Sequence, residues 1–117
     1  MEKLMDTLKA LSDETRLRII NLLYTRELCV CDVMETLGIT QAKASRHLIY
    51  LKNAGLVKDR REAQWSWYAL TKDERLRFLD SLVFDNLRAM ELYQRDLENL
   101  SAWLQTKPTT VAKELMQ

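Results

Sequence analysis

Only two glycines, Gly38 and Gly55, and one proline, Pro108, interrupt this chain of 117 residues. With so few residues suited to tight reversals, the chain is expected to be mainly helical, and each of the three marks a boundary. Gly38 closes a short helix that begins near Val30. Gly55 closes a second, which Thr40 opens as N-cap and which runs to about Ala54. Pro108 ends the ordered part. Two helices joined by a tight turn at Gly38 make a helix-turn-helix over about residues 30–54.

The apolar spacing supplies the other elements. Leu4, Met5, Leu8 and Leu11 share one face of an amphipathic first helix. Ser12 reads as the N-cap of the next, with Asp13 and Glu14 in the first turn, where carboxylates favour the positive end of the helix dipole. Leu17, Ile20, Leu23 and Tyr24 form its core stripe. Beyond Gly55 the period becomes two: Leu56–Asp59 and Gln64–Leu70 read as strands and Arg60–Ala63 as the turn between them, a wing over about residues 56–70. Trp65, Trp67 and Ala69 alternate with Ser66, Tyr68 and Leu70.

Thr71 and Glu74 form a capping box that opens a long last helix over about residues 72–105. Its apolar residues follow a seven-residue repeat, Leu76, Val83, Met90, Leu97 and Leu104 in one row and Leu79, Asn86, Tyr93 and Leu100 in the other. No other element is long enough to face it. The expectation is a homodimer through the first and last helices, with Leu4, Leu8, Leu79, Val83, Asn86, Met90, Tyr93, Leu97 and Leu100 at the interface and Asn86 fixing register. The competing reading is a helix packed in its own chain's core. The fold class is thus mainly α with a small β-hairpin, a winged helix-turn-helix in one domain over residues 1–105, followed by a tail at 106–117.

Both cysteines of the chain lie in the stretch "ELCVCDV", Glu27 to Val33. A bridge between them would close almost no loop, so they are no scaffold disulfide. No apolar run approaches the roughly 18 residues that would span a bilayer, and the start "MEKLMDTLKAL" is amphipathic and too acidic for a secretory signal. The expected location is the cytoplasm, away from any membrane, where thiols stay reduced. Such a pair serves as small buried hydrophobes, as a redox couple, or as thiolate ligands of a soft metal ion.

The net charge of +1 hides an uneven distribution. Residues 1–37 carry five Lys/Arg and seven Asp/Glu, residues 38–68 six and two, and residues 69–117 seven and eight. The basic middle third is where a polyanion would bind, unless it is only a solvated face. An enzyme is disfavoured, because the chain has a single histidine, no glycine-rich phosphate loop and no nucleophile, base and orienter set.

With these elements in place, the sequence resembles the ArsR/SmtB family of winged-helix metalloregulatory repressors. The residues that carry the resemblance are "ALSDETRLRIINLL" (Ala10–Leu23), "ELCVCDV", "TQAKASRHLIYLKNAGLV" (Thr40–Val57) and "DRREAQWSWYAL" (Asp59–Leu70), within a match over roughly Leu8 to Leu70. The C-X-C-D stretch looks most like the arsenic-responsive branch. Four departures stand out: Met34 occupies that branch's third thiol position, the N-terminal cysteines of the cadmium and lead branch are absent, the last helix lacks the histidine of the zinc and cobalt branch, and Ala63 replaces the wing-tip glycine.

The resemblance implies that Cys29 and Cys31 bind As(III) or Sb(III) as inducer, at the start of a helix whose dipole lowers a thiol pKa. The alternatives are another soft metal (Cd, Pb, Cu) or oxidation of the thiols, and no organic cofactor is expected. Residues i and i+2 of a regular helix point about 200° apart, so one ion would have to unwind the turn to bond both sulfurs. Double-stranded operator DNA is the implied partner. Thr40, Gln41, Lys43, Ser45, Arg46 and His47 would meet it from the second helix, and Arg60, Arg61 and Gln64 from the wing.

Overall fold

The computed structural model describes residues 2–107. Helices α1 (Glu2–Leu11) and α2 (Glu14–Leu23) lead into a two-residue strand, β1 (Leu28–Cys29). Helices α3 (Val30–Leu37) and α4 (Gln41–Asn53) follow, then the wing strands β2 (Val57–Glu62) and β3 (Trp65–Leu70). Helix α5 (Leu76–Asp85), a 3-10 turn (Leu87–Ala89) and α6 (Glu91–Thr106) complete the described residues. The fold is a winged helix-turn-helix, and the expected tail lies almost wholly outside the described residues.

Local chemistry sets the helix boundaries. Gly38 ends α3 in the left-handed conformation, φ 66°, which costs glycine nothing. Thr40 caps α4 by accepting the Lys43 N–H at 3.1 Å. The cap of α2 is Asp13, not Ser12: its carboxylate accepts the Arg16 N–H at 3.0 Å, while the Ser12 hydroxyl donates back to the Lys9 carbonyl. The wing turn is tighter than expected, so Arg60 and Arg61 sit on β2 rather than in the turn. Ala63 takes the left-handed conformation there, φ 56°.

The sheet is antiparallel, in the order β1-β3-β2. Strand β1 was not expected from sequence. It exists through its partner, with Leu28 opposite Tyr68 and Cys29 opposite Trp67. Above the sheet, Ile19, Ile20, Leu22, Leu48, Leu51, Leu56, Leu79 and Val83 form the deepest part of a core that joins α2, α4 and α5.

The long last helix is in fact two. Asn86 ends α5 with φ −126° and ψ −64°, and its amide donates to the Ser81 carbonyl at 3.1 Å, so it terminates a helix rather than setting a register. Leu87 is buried in the break. Arg88 donates to the Asn21 side chain at 3.0 Å, and Asn21 donates to the Tyr93 carbonyl at 3.1 Å, which fastens the break to α2. Arg18 reaches the buried Asp96 through two bonds, at 2.7 and 2.9 Å. The capping box at Thr71 is absent, since α5 begins only at Leu76, with Arg75 at its cap position.

This changes the expected interface. Leu79, Val83, Tyr93 and Leu100 are buried in the protomer's own core, and Leu97 is half-buried against it. A seven-residue spacing marks an apolar helix face, and here most of that face is consumed within the chain, with Asn86 and Met90 left exposed.

Candidate thiol site and nucleic-acid interface

Pairing with β3 holds Cys29 extended, φ −87° and ψ 168°, as the residue that caps α3. It therefore precedes the helix, and the separation expected of i and i+2 in a regular helix does not apply. The two sulfurs and a carboxylate oxygen of Asp32 lie within 4.8 Å of one another. The turn need not unwind for one ion to reach both thiols, which corrects the mechanism expected from sequence.

Asp32 organises the cluster. One carboxylate oxygen accepts the Cys29 N–H at 3.0 Å. The other accepts the Trp103 indole N–H at 2.8 Å and the Lys107 ammonium at 3.1 Å, with the Cys31 sulfur 4.0 Å away. Burial alone would raise the Asp32 carboxyl, but the bonds from Trp103, Cys29 and Lys107 outweigh it and hold it below its ordinary value. Trp103 and Lys107 were not anticipated: they approach from the end of α6, 71 and 75 positions away, with no local sequence signal.

The two thiols are unequal. Hydrogen bonding to Cys31, together with burial, pushes the Cys29 thiol up, so it keeps its proton. The same bond, helped by Lys107, pulls Cys31 below the ordinary thiol value. Cys29 is fully buried and Cys31 half-buried. The donor set suits a thiophilic ion: two sulfurs, with a carboxylate whose oxygens are already taken, offer no oxygen cage for a hard cation.

Cys31 and Met34 open onto a cleft of about 640 Å³ between α4 and the wing, which also touches Gln41, Ser45, Lys52, Arg61 and Gln64. Gln41 and Arg46 are exposed at the start of α4, with Thr40 exposed at its cap and Lys43 and Ser45 half-buried. His47 does not share that surface. It is 6% exposed, and Arg16 approaches its Nδ1 at 3.2 Å. A guanidinium can only donate, so Nδ1 accepts and the ring proton sits on Nε2. His47 therefore braces α4 against α2 rather than meeting a ligand.

Arg60 is likewise occupied. It donates to both Glu27 oxygens at 2.9 and 2.7 Å and to Glu62 at 3.0 Å, on the opposite face of the sheet from Arg61. It ties β2 to the residues just before the thiols. Arg61, bonded to the Gln64 carbonyl at 3.3 Å, stays on the cleft side.

Several large apolar side chains are left exposed on the helices outside the cleft. Leu4, Met5 and Leu8 on α1, Phe78 and Phe84 on α5, and Met90 are all between 44% and 52% exposed. No helix among the described residues is long and apolar enough to cross a membrane.

Comparison with known proteins agrees with this fold. Residues 13–59 match the bacterial regulatory protein, arsR family. The chain is 41% identical over 100 residues to the arsenic resistance transcriptional regulator ArsR2 of Pseudomonas putida, spanning 85% of this chain and 77% of that protein. It is 48% identical over 64 residues to the arsenical resistance operon repressor of Escherichia coli, spanning 54% of this chain and 55% of that one. Among solved structures, a homodimeric winged helix-turn-helix DNA-binding domain from Mycobacterium bovis aligns with a TM-score of 0.65 and 27% identity, covering 77% of this chain and 86% of that chain. By its fold, its thiol stretch and this similarity, the chain belongs to the arsR family of bacterial transcriptional regulators and is not an enzyme.

Proposed function

We propose that the protein is a cytoplasmic, dimeric repressor that holds operator DNA through α4 and the wing and releases it when As(III) or Sb(III) binds Cys29 and Cys31. The observation that carries this reading is the pairing of the two sulfurs within 4.8 Å at the capped start of α3, beside a cleft walled by α4 and β2–β3. Thr40, Gln41, Lys43, Ser45 and Arg46 lie on the first turns of α4, the end of a recognition helix that meets base edges in the major groove. Gln41 suits adenine and Arg46 suits guanine, while Arg61 and Gln64 reach the backbone or minor groove from the wing. Two protomers meet through Leu4, Leu8 and Met90, joined by Met5, Phe78 and Phe84, and a two-fold dimer calls for a palindromic operator.

Two routes lead from the thiols to the DNA-facing parts. Cys29 pairs with β3 of the wing, and Asp32 joins the turn to α6. An ion on the sulfurs shifts both, DNA affinity falls, and by linkage DNA weakens the ion by the same factor. The test is fluorescence anisotropy of the reduced protein on its upstream DNA, titrated with arsenite, antimonite, cadmium, lead, monovalent copper and a mild oxidant. Release by arsenite and antimonite, lost in Cys29→Ser and Cys31→Ser, is the expected result. Release by another reagent alone would reassign the inducer, and release by arsenite from both serine variants would sink the reading.

A further inference from the structure

We propose that the arsenic held by Cys29 and Cys31 is completed by an outside ligand, a small carboxylate-bearing thiol seated in the cleft between α4 and the wing. This rests on the metalloid reading above and names what fills its third position. Trivalent arsenic is thiophilic and three-coordinate, and the chain has two cysteines in all. Neither nearby side chain supplies the third bond. Met34 carries a neutral thioether, and both Asp32 oxygens are occupied by Cys29, Trp103 and Lys107.

Access decides where the third ligand comes from. Cys29 is fully buried, whereas Cys31 lines the cleft. The open side of an arsenic atom on these sulfurs therefore faces the cleft. Its volume, about 640 Å³, falls within the range that takes small organic ligands. Two cations line it. Lys52 is paired with Asp59 at 3.2 Å, but among the described residues Arg61 makes one long bond, to a backbone carbonyl, and keeps guanidinium donors for a carboxylate. Gln41 and Gln64 add amide donors.

The chemistry balances without an oxidant. Arsenous acid exchanges its three As–O bonds for three As–S bonds, two to the protein and one to the outside thiol, and the three thiol protons leave in three waters. The occupied cleft lies between Gln41 on α4 and Arg61 on the wing, so the completed complex fills the space through which DNA would approach.

The experiment uses the full chain reduced with a phosphine, loaded with arsenite, and then given no thiol, glutathione, or the neutral 2-mercaptoethanol. Native mass spectrometry and arsenic X-ray absorption are read without DNA, and release of DNA is read in parallel. A protein–arsenic–glutathione species with three sulfurs about arsenic, and release at roughly tenfold lower arsenite with glutathione than with phosphine alone, are expected. Arg61→Ala should shrink the preference for glutathione over 2-mercaptoethanol in the DNA-free binding. Arsenic held by two sulfurs and one oxygen in glutathione would overturn the outside ligand and leave the metalloid site standing. An unchanged preference in Arg61→Ala would overturn the carboxylate seat. No arsenic on the protein under any condition would overturn the metalloid reading itself.

Discussion

Trp103 donates its indole N–H to the Asp32 carboxylate at 2.8 Å, across 71 positions of sequence. The same carboxylate accepts the Cys29 backbone N–H, so the last helix and the thiol turn share one buried anion. Whatever moves that turn also works against α6.

Replacing Trp103 with Phe keeps most of the ring and removes the donor. A hydrogen bond to a buried charge is worth about 1.5–3 kcal/mol, and the carboxylate keeps its bonds to Cys29 and Lys107. Trp103→Phe should therefore lower stability by that amount in urea unfolding, with little change in denaturant slope. An unaffected midpoint would show that the bond contributes nothing to the fold.

His47 is the chain's single histidine, which makes its titration separable. Burial, aided by the nearby cations of Arg16, Arg46 and Lys43, outweighs Asp13 and depresses its pKa below the ordinary value. The unfolded chain then takes up the proton first as pH falls, so stability is full above about pH 6.5 and declines as pH drops below it. Urea midpoints measured from pH 8 to 5.5 should show that decline, and His47→Gln should flatten it. A profile equally steep in the variant would assign the effect to other groups.

The salt dependence of DNA binding distinguishes free cations from tied ones. Lys43 and Arg61 remain for phosphates and Arg46 for a base edge, whereas Arg60 is held by Glu27 and Glu62. Four such cations in a dimer give a log–log salt slope of about −4. Lys43→Ala should reduce its magnitude by about 2 per dimer, and Arg60→Ala should leave it nearly unchanged. Equal losses from both would mean that DNA pulls Arg60 away from its carboxylates.

What the sequence discloses follows from the range of each signal. Gly38 and Thr40 bound α3 and α4 because a left-handed residue and an N-cap act within a few positions. Strand β1 is two residues long and forms only through Tyr68 and Trp67, so no window around Cys29 contains it. The thiol pair was legible as residue types, but its geometry was not, because that depends on whether Cys29 lies inside the helix or caps it. The Trp103 and Lys107 contacts are set by how α6 crosses α3. Arg60 and Arg61 are neighbours with opposite fates because adjacent residues of a strand face opposite sides of the sheet.

The heptad pattern was the most misleading signal, and one comparison separates its two meanings. Leu79 is 1% exposed inside the protomer, while Leu8 is 44% exposed on α1 beside Met5. Leu79→Ala should cost about 2–5 kcal/mol in folding through the cavity it leaves. Leu8→Glu should leave the helical circular dichroism of the chain intact while shifting sedimentation from dimer to monomer and weakening DNA binding. The assignment rests on this asymmetry: a core residue reports through stability at any protein concentration, whereas an interface residue reports through the concentration at which two chains meet. If Leu8→Glu stays dimeric at micromolar concentration, the α1 surface is not the seam.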